Sequence, residues 1–427
     1  MDLKTNVVDY LKTYYDTSHD IDIVLEEICK VCSIGICDNN QKISEKYYIK
    51  KIIEDYFDKL ERFKLKQIKF KNLLKLELPE QRSPEWFEMR RDKLTASSFA
   101  TALGEDHYTS KFKLIHDKLT NAPHISNIHT EWGTKYEEIA TLFYQLITRT
   151  NVIEFGMIPH PDFPIFGASP DGICDDSGPM EYTARMLEIK CPTRREFWMK
   201  RNKSKWMPHH YWMQMQGQME VCDLDECDFL QVKLAEYKDE NDYKEDILDL
   251  TKPLTHSYPD VPGYDDTING KTKDNLPKGC TISYKKPGED KLSYLYPKLL
   301  LSYDESMEWI QEHIKTGIDV QEIKWWKITR YEIDLVLRDK EWWLGVVPKV
   351  MSFYDHYVYY RDNIDELKEK VKQTNTSKEI VINVPDFVLC GSDEEEEKNK
   401  NNNNNININN NNNNNTYTNS DLPEFAL

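Results

Sequence analysis

The chain has 427 residues, of which 39% are hydrophobic, and its 56 basic and 74 acidic residues leave a formal net charge of −18. This length is sufficient to bury a large core, and the acidic balance argues against a protein that binds polyanions nonspecifically. No apolar run approaches the roughly 18 residues of a membrane-spanning helix, and the N-terminus lacks a signal-peptide pattern. Nine scattered Cys fit reduced thiols. We therefore expect an intracellular protein that is neither secreted nor membrane-bound.

The first part of the chain is predicted to hold a helical region followed by a mixed segment. In residues 1–78, apolar side chains recur at helical spacing with charges between them, which predicts helices. The polar, proline-containing stretch "PEQRSPEW" (79–86) marks a boundary. From 79 to 237 helix-like and strand-like patterns alternate, so we expect a mixed α and β domain there.

The second part is predicted to contain an insertion, a final ordered segment and a tail. Residues 238–290 are polar and rich in turn residues, which is typical of an insertion. Residues 291–376 are expected to complete the domain with a strand over "KWWKITRYEIDLVLRD" and a long helix bent near Pro348. The acidic and Asn-rich residues 377–427 are expected to be disordered.

The stretch "ASPDGICDDSGPMEYTARMLEIKCP" (168–192) combines a tight turn with a short strand. Asp171 occupies a Pro-Asp-Gly corner, and "ARMLEIK" is predicted to be a strand that Pro192 ends. Alternation along a strand places Glu188 and Lys190 on one face and the apolar residues on the other. If "FPIFGASPD" and "MLEIK" are neighbouring strands of a hairpin with "GICDDSGPMEYTAR" as its loop, Asp171 lies beside Glu188.

Two converging carboxylates repel each other, and a divalent cation relieves that repulsion. Mg²⁺ prefers oxygen ligands and keeps some of its water, which fits Asp171, Glu188 and a backbone carbonyl such as that of Ile189. Mn²⁺ is an alternative ion. Lys190 would then contact the attacking water or the scissile phosphate, so this arrangement predicts phosphodiester hydrolysis. The structural alternative is an ordinary surface strand with a Glu–Lys pair and an Asp in a turn.

Four blocks of the chain together resemble the PD-(D/E)xK nucleases, and specifically their YqaJ-type viral recombinase and lambda-exonuclease branch. In chain order the blocks are "SPEWFEMRRDKLTAS" (83–97), "WGTKYEEIATLFY" (132–144), "SPDG…LEIKCPTRREFWMK" (169–200) and "YWMQMQGQMEV" (211–221). The resemblance implies an α/β (α+β) fold, in which a restriction-endonuclease-like core has a central mixed sheet flanked by helices. The helical N-terminal region lies outside it, and the site is expected at one edge of the sheet.

The resemblance also implies roles for individual residues of these blocks. Asp171 and Glu188 would be metal ligands, with the carbonyl of Ile189, and Lys190 would be the catalytic lysine. Glu137 would be a third acidic contact, reaching the metal directly or through water. Its neighbour Glu138 is the alternative inward-facing residue, although the match to "G-x-x-Y-E" favours Glu137.

Amide and phosphate-binding residues are implied in the same way. Gln214 would brace Lys190 or the attacking water, with Gln216 as a less favoured candidate. Arg90 and Ser97 would bind the 5′-phosphate of the DNA end, and Arg91 replaces Arg90 if the helix register differs by one residue. A structural role for Ser97 as a helix N-cap stays open. Trp86 is expected to be a core residue rather than a platform for stacking bases.

A basic run follows the predicted catalytic strand directly. The segment "RREFWMKRNKSK" (194–205) is interpreted as a strip that contacts the DNA backbone, with a solvated helix face as the alternative. The phosphate-contacting candidates in it are Arg194, Arg195, Lys200 and Arg201. The Cys29, Cys32 and Cys37 cluster lacks a fourth ligand, so we expect neither zinc nor an iron–sulfur cluster there.

The function that these features imply is a Mg²⁺-dependent deoxyribonuclease, in particular a 5′→3′ exonuclease on linear double-stranded DNA. It would serve recombination, replication or genome processing in the host cytoplasm or a viral replication compartment. Double-stranded DNA ends are the expected partner, a single-strand-annealing protein is a candidate partner, and monomeric and ring-shaped forms both stay open. The alternatives are a noncatalytic module that binds DNA ends and an endonuclease or RNase on the same core.

Overall fold

A computed structural model describes residues 3–31, 39–81, 83–106, 108–122, 127–193, 195, 197 and 207–379. Its helices are α1 Leu3–Tyr14, α2 Ile21–Val31, α3 Asn39–Leu74, α4 Pro84–Asp92, α5 Phe99–Leu103, α6 Lys111–Thr120, α7 Ile128–Thr148, α8 His209–Cys222, α9 Glu240–Glu245, α10 Tyr303–Lys315, α11 Lys340–Asp362 and α12 Ile364–Glu379. Its strands are β1 Leu94–Thr95, β2 Val152–Ile153, β3 Ile158–Pro159, β4 Phe166–Ala168, β5 Gly172–Cys174, β6 Met186–Lys190, β7 Glu226–Glu236, β8 Lys278–Lys285, β9 Leu292–Leu295 and β10 Asp319–Leu337.

The centre of the molecule is a seven-stranded mixed sheet with the order β2-β5-β6-β7-β10-β8-β9. Strands β6 and β7 are parallel, and the other neighbouring pairs are antiparallel. A second, three-stranded sheet has the order β1-β4-β3. The predicted fold class, a mixed sheet flanked by helices with a helical N-terminal region, is confirmed.

Both faces of the large sheet are covered, and β6 illustrates why. Met186 packs into an apolar cluster with residues of α5, α8 and α11, whereas Leu187 and Ile189 pack against Tyr136 and Phe143 of α7. The predicted alternation along this strand is therefore confirmed. Glu188 shares the face of Met186 and meets α8, so a fully buried carboxylate is placed between the sheet and that helix.

The structure differs from the predicted insertion over residues 238–290. Residues 278–285 form β8, which pairs with β10 on one side and β9 on the other. Tyr258, Tyr264 and Leu276 are buried in the cluster beneath α7. The segment is thus part of the sheet and of the core. The segment has a polar composition because only a few of its residues, widely spaced in the sequence, contribute to that apolar cluster.

The C-terminal elements agree with the predicted strand and differ from the predicted single helix. The strand predicted over "KWWKITRYEIDLVLRD" lies within β10. Pro348 lies inside α11 and does not end it. The helix ends later, with Asn363 as its C-cap, and α12 begins at the next residue. Residues 380–427 of the predicted tail lie outside the described residues, as do Cys32 and Cys37. Within the described part of the chain, no helix has the length and apolar character needed to cross a membrane.

The N-terminal helices form a small cluster of their own that α3 connects to the sheet domain. Residues of α1, α2 and the first half of α3 pack together, whereas Phe70 and Leu73 at the end of α3 pack into the main core. The same end of the helix forms ion pairs with the sheet domain, from Lys66 to Glu226 at 2.7 Å and from Lys69 to Asp225 at 2.7 Å. The N-terminal region is therefore attached through the C-terminal half of one long helix.

Gly217 allows α8 to lie against the turn that precedes α5. A Cβ atom at position 217 would be 2.4 Å from Cε2 of Phe99 and 3.3 Å from Cβ of Ala96. The Phe99 ring cannot move aside easily, because it is buried and stacked on Trp343. We expect Gly217→Ala to lower the free energy of unfolding by about 1–3 kcal/mol, measured by denaturant unfolding.

Gly345→Ala in α11 is the matched control for this prediction, since nothing lies within 4 Å of the Cβ that it would add. The control should be neutral or stabilise the protein by up to about 1 kcal/mol, through helix propensity alone. Equal stability of both variants would contradict the close approach of α8.

Candidate active site

Asp171 lies directly before β5, whereas the sequence predicted that it ends the strand "FPIFGASPD". The predicted hairpin partner "FPIFGA" contains β4, which belongs to the three-stranded sheet and pairs with β1 and β3. The chain passes through Ser169 and Pro170 into the large sheet, where Gly172 pairs with Leu187. Pro170 has no N–H to continue a ladder, so β4 and β5 are separate strands. Asp171 nevertheless lies where the sequence predicts, beside the end of β6.

Asp171 accepts a hydrogen bond from the backbone of β6, whereas Glu188 accepts hydrogen bonds from side chains of β6 and α8. The backbone N–H of Ile189 donates to Oδ2 of Asp171 at 2.6 Å. Oε1 of Glu188 accepts hydrogen bonds from Lys190 and, at 2.8 Å, from Nε2 of Gln214. Five of the predicted site residues, Asp171, Glu188, Ile189, Lys190 and Gln214, therefore come together at the junction of β5, β6 and α8.

Gln218 also donates to Glu188, through Nε2 to Oε2 at 2.8 Å. Sequence reasoning did not select this residue. The available signal was helical spacing, because Gln218 follows Gln214 by one turn and shares its face. Gln216, the other amide considered, points elsewhere: it donates to the carbonyl of Leu337 and accepts from the N–H of Asp339. Gln216 therefore connects α8 to the end of β10, and neither of these hydrogen bonds involves Glu188.

Glu137 lies close enough to the site for its charge to act on Asp171. Its neighbour Glu138 is exposed and lies near Glu154 instead. The side chains of α7 therefore support the predicted choice of Glu137 over Glu138 as the residue that faces the site.

The charges at the site are unbalanced on the acidic side. Removal from water, together with the charges of Glu188 and Glu137, raises the pKa of Asp171 well above its usual value, although Lys190 and the N–H of Ile189 act in the opposite direction. Burial alone would lower the pKa of Lys190, but the charges of Glu188 and Asp171 outweigh it and raise that pKa. Lys190 is therefore a charged ammonium, and the carboxylates still lack a full counter-charge.

The oxygen donors at the site are of the type that a hard divalent cation prefers. In the described part of the chain, no three His, Cys, Asp or Glu side chains are close enough to enclose an ion. The site offers the carboxylates of Asp171 and Glu188 and the carbonyl of Ile189, which lies on the same side of β6 as the N–H that contacts Asp171. Few oxygen donors around an excess of negative charge suit an ion that keeps several waters, as Mg²⁺ does.

A second polar cluster lies at the end of α4. Nη2 of Arg90 is 3.3 Å from Oγ of Ser97, which also contacts Thr95 at 3.1 Å. Ser97 is exposed and lies in a short 3₁₀ turn, whereas α5 begins at Phe99 after Ser98, so Ser97 is not the N-cap of that helix.

The side chains of the two arginines have different neighbours. Arg90 covers the ring of Trp86 at 5.1 Å, and Trp86 is buried as predicted. Arg91 instead lies 3.7 Å from Glu88 and 3.6 Å from Asp92. Burial and then the charge of Arg90 lower the pKa of Lys118 to about 8, despite Asp92. The guanidinium of Arg90 is therefore close enough to Lys118 for its positive charge to act on that ammonium, whose nearest acceptor is the carbonyl of Lys93 at 2.6 Å.

The basic run after β6 is only partly described. Arg194, Lys200 and Arg201 lie outside the described residues. Arg195 is buried, with 4% of its surface exposed, and donates to Oε1 of Gln231 on β7 at 2.9 Å. The structure therefore places Arg195 inside the domain as a bridge to β7, which differs from its predicted position on an exposed strip.

A mixed sheet flanked by helices, with two carboxylates and a lysine beside one of its strands, is the arrangement that the PD-(D/E)xK resemblance implied. The site differs from the expectation in lying at the interior strands β5 and β6 rather than at an edge strand of the sheet. Residues 85–225 match the family model of the YqaJ-like viral recombinase domain. The predicted resemblance is thus confirmed for the part of the chain that contains Asp171, Glu188 and Lys190.

The chain is similar to proteins of two viruses. The chain is 30% identical over 351 residues to an uncharacterized protein of Acanthamoeba polyphaga mimivirus, across 74% of this chain and 60% of the mimivirus protein. It is 31% identical over 118 residues to a protein of African swine fever virus (strain Badajoz 1971 Vero-adapted), across 26% of this chain and 33% of that viral protein. The chain thus spans less than two thirds of the length of either relative.

Among solved structures, the alkaline exonuclease LHK-Exo from Laribacter hongkongensis is similar with a TM-score of 0.38 and 19% sequence identity. This similarity covers 68% of this chain and 100% of that chain.

Proposed function

We propose that this protein is a metal-dependent deoxyribonuclease that hydrolyses phosphodiester bonds at the ends of linear double-stranded DNA, in the 5′→3′ direction. The observation that carries the proposal is the buried Glu188, which contacts Lys190 directly and stands beside Asp171. The match of residues 85–225 to a viral recombinase domain supports DNA as the substrate and recombination or genome processing as the use.

The chain's own residues would divide the work between the ion and the phosphate. Asp171, Glu188 and the carbonyl of Ile189 would hold Mg²⁺, which supplies Lewis-acid stabilisation of phosphate charge when bound. Lys190 is a charged donor, so it can stabilise negative charge that grows on the phosphate. Gln214 keeps Glu188 in position without adding charge to the site.

The direct test is degradation of linear duplex DNA with Mg²⁺ or with chelator, beside a closed circle of the same sequence. Loss of the linear DNA that requires Mg²⁺, with the circle intact, is the expected result. Cutting of the circle would establish an endonuclease instead. Binding of DNA ends without cleavage of DNA or RNA under any metal condition would establish the noncatalytic module.

Arg90 and Ser97 are proposed to hold the 5′-phosphate of the DNA end. A charged hydrogen bond of this kind contributes about 1.5–3 kcal/mol, so Arg90→Ala should reduce the preference for 5′-phosphate over 5′-hydroxyl ends by roughly 10-fold or more. The measurement is the ratio of initial degradation rates on the two substrates.

Arg91→Ala is the matched control for this prediction, because Arg91 follows in the same helix but faces Glu88 and Asp92. It should leave the ratio unchanged. An Arg91 variant that loses the preference, beside an Arg90 variant that keeps it, would reverse the assignment.

A further inference from the structure

Helix α8 presents two amides, one turn apart, to the same buried carboxylate. Gln214 donates to Oε1 of Glu188 and Gln218 donates to Oε2, both at 2.8 Å. We propose that Gln218 is a positioning residue, which sets the orientation of Glu188 for binding the divalent cation. This inference rests on the proposed function, and it adds a residue for which neither the sequence nor the resemblance suggested a role.

The surroundings of Gln218 indicate that its amide serves Glu188 rather than the packing of the helix. The side chain is 2% exposed, and its only described hydrogen bond is the one to Glu188. Among the described residues, no donor contacts its buried Oε1. The orientation of the amide follows from chemistry, since only the NH₂ group can face a carboxylate. A buried amide whose oxygen accepts no hydrogen bond lowers the stability of the fold, so stability by itself does not explain a glutamine at this position.

Two neutral donors on different oxygens have a specific consequence for the carboxylate. Together they restrict rotation of the Glu188 carboxyl group, so its oxygens keep one direction relative to Asp171. Because amides carry no charge, they hold the group without neutralising the negative charge that attracts the cation. A cationic residue in place of Gln218 would compete with the ion. Residues that orient a ligand in this way typically change metal affinity by about 10- to 100-fold when they are replaced.

Gln216 provides a matched control within the same helix. It is equally buried, at 2% exposed, but its hydrogen bonds go to the backbone of Leu337 and Asp339. Replacing either glutamine with methionine keeps the volume similar and removes one buried amide. General destabilisation of α8 would therefore affect both variants, whereas a role in orienting Glu188 affects only Gln218.

The test is Mn²⁺ binding to the full-length protein, measured from the electron paramagnetic resonance signal of the free ion without DNA. Gln218→Met should raise the Kd for Mn²⁺ by about 10-fold or more. Gln216→Met should leave the Kd within about twofold of the wild-type value, which is well below the change expected for Gln218→Met. Thermal unfolding of each variant checks that it is folded. If Gln218→Met does not fold, Gln218→Leu removes the same amide with a shorter side chain and should raise the Kd in the same direction.

The outcomes separate the inference from the function on which it rests. Wild-type affinity in the Gln218 variant, or equal loss in both variants, would overturn the positioning role while the wild-type protein still binds Mn²⁺ and cleaves DNA. A wild-type protein that neither binds Mn²⁺ nor cleaves DNA would overturn the proposed function, and the inference with it.

Discussion

Lys190→Ala is expected to lower the rate of DNA cleavage by roughly 10³-fold, since removing one donor that stabilises charge in a transition state has an effect of that order. Lys190 contacts Glu188, and its ammonium is the positive charge that acts on both acidic residues. Binding of DNA ends should persist, because Arg90 and Ser97 lie in a separate cluster at the end of α4. Single-turnover cleavage and DNA-end binding at saturating Mg²⁺ measure the two effects separately.

Lys324→Ala is the matched control for this loss. Lys324 is in the same sheet and is similarly exposed, at 27% against 24% for Lys190, and it also pairs with glutamate, 2.8 Å from Glu322. Its removal should leave cleavage within about threefold of wild type, as expected for an exposed ion pair of small energetic weight. Retained cleavage in Lys190→Ala would exclude Lys190 as the catalytic lysine.

Asp171→Asn is expected to abolish Mg²⁺-dependent cleavage and to stabilise the protein in chelator at pH 7. The pKa of Asp171 is raised by removal from water and by Glu188 and Glu137, so the ionised carboxylate destabilises the folded state. The neutral amide removes that repulsion, and its oxygen can still accept from the N–H of Ile189. We expect a gain on the order of 1 kcal/mol in the free energy of unfolding.

The sign of the pH dependence follows from the direction of this pKa shift. Below the ordinary pKa of an Asp the carboxyl group is neutral in the folded and unfolded states, so it has little effect on stability. As pH rises, the unfolded chain loses this proton first and the wild-type protein is destabilised. The advantage of Asp171→Asn should therefore grow between about pH 4 and pH 7, as measured by denaturant unfolding in chelator.

Asp175→Asn should show the opposite sign and serves as the control. Burial would raise the pKa of Asp175, but hydrogen bonds from Ser177 and Asn151 outweigh it and lower that pKa. The ionised Asp175 therefore stabilises the folded state, and its replacement should reduce stability at neutral pH. A loss of stability in Asp171→Asn as well would contradict the repulsion between the acidic residues of the site.

Local sequence patterns were sufficient to predict the part of the candidate site that lies on one strand and one turn. Alternation along a short strand put Glu188 and Lys190 on one face, and the structure has them in direct contact. Gln214, which was predicted to brace Lys190 or the attacking water, donates instead to Glu188, whereas the turn places Asp171 beside the strand of Glu188 as predicted. These inferences succeed because the periods of strands and helices depend only on neighbouring residues.

The identity of the distant segments that complete the candidate site could not be predicted from local patterns. The strand that pairs with β6 is β5 rather than the expected hairpin partner, and residues 278–285 form a strand of the sheet. The tertiary structure also brings Gln218 to the second oxygen of Glu188 and directs Gln216 to the end of β10. Each of these depends on the pairing of strands or the rotation of a packed helix. Those are fixed by burial of the whole core, to which residues far apart in the chain contribute.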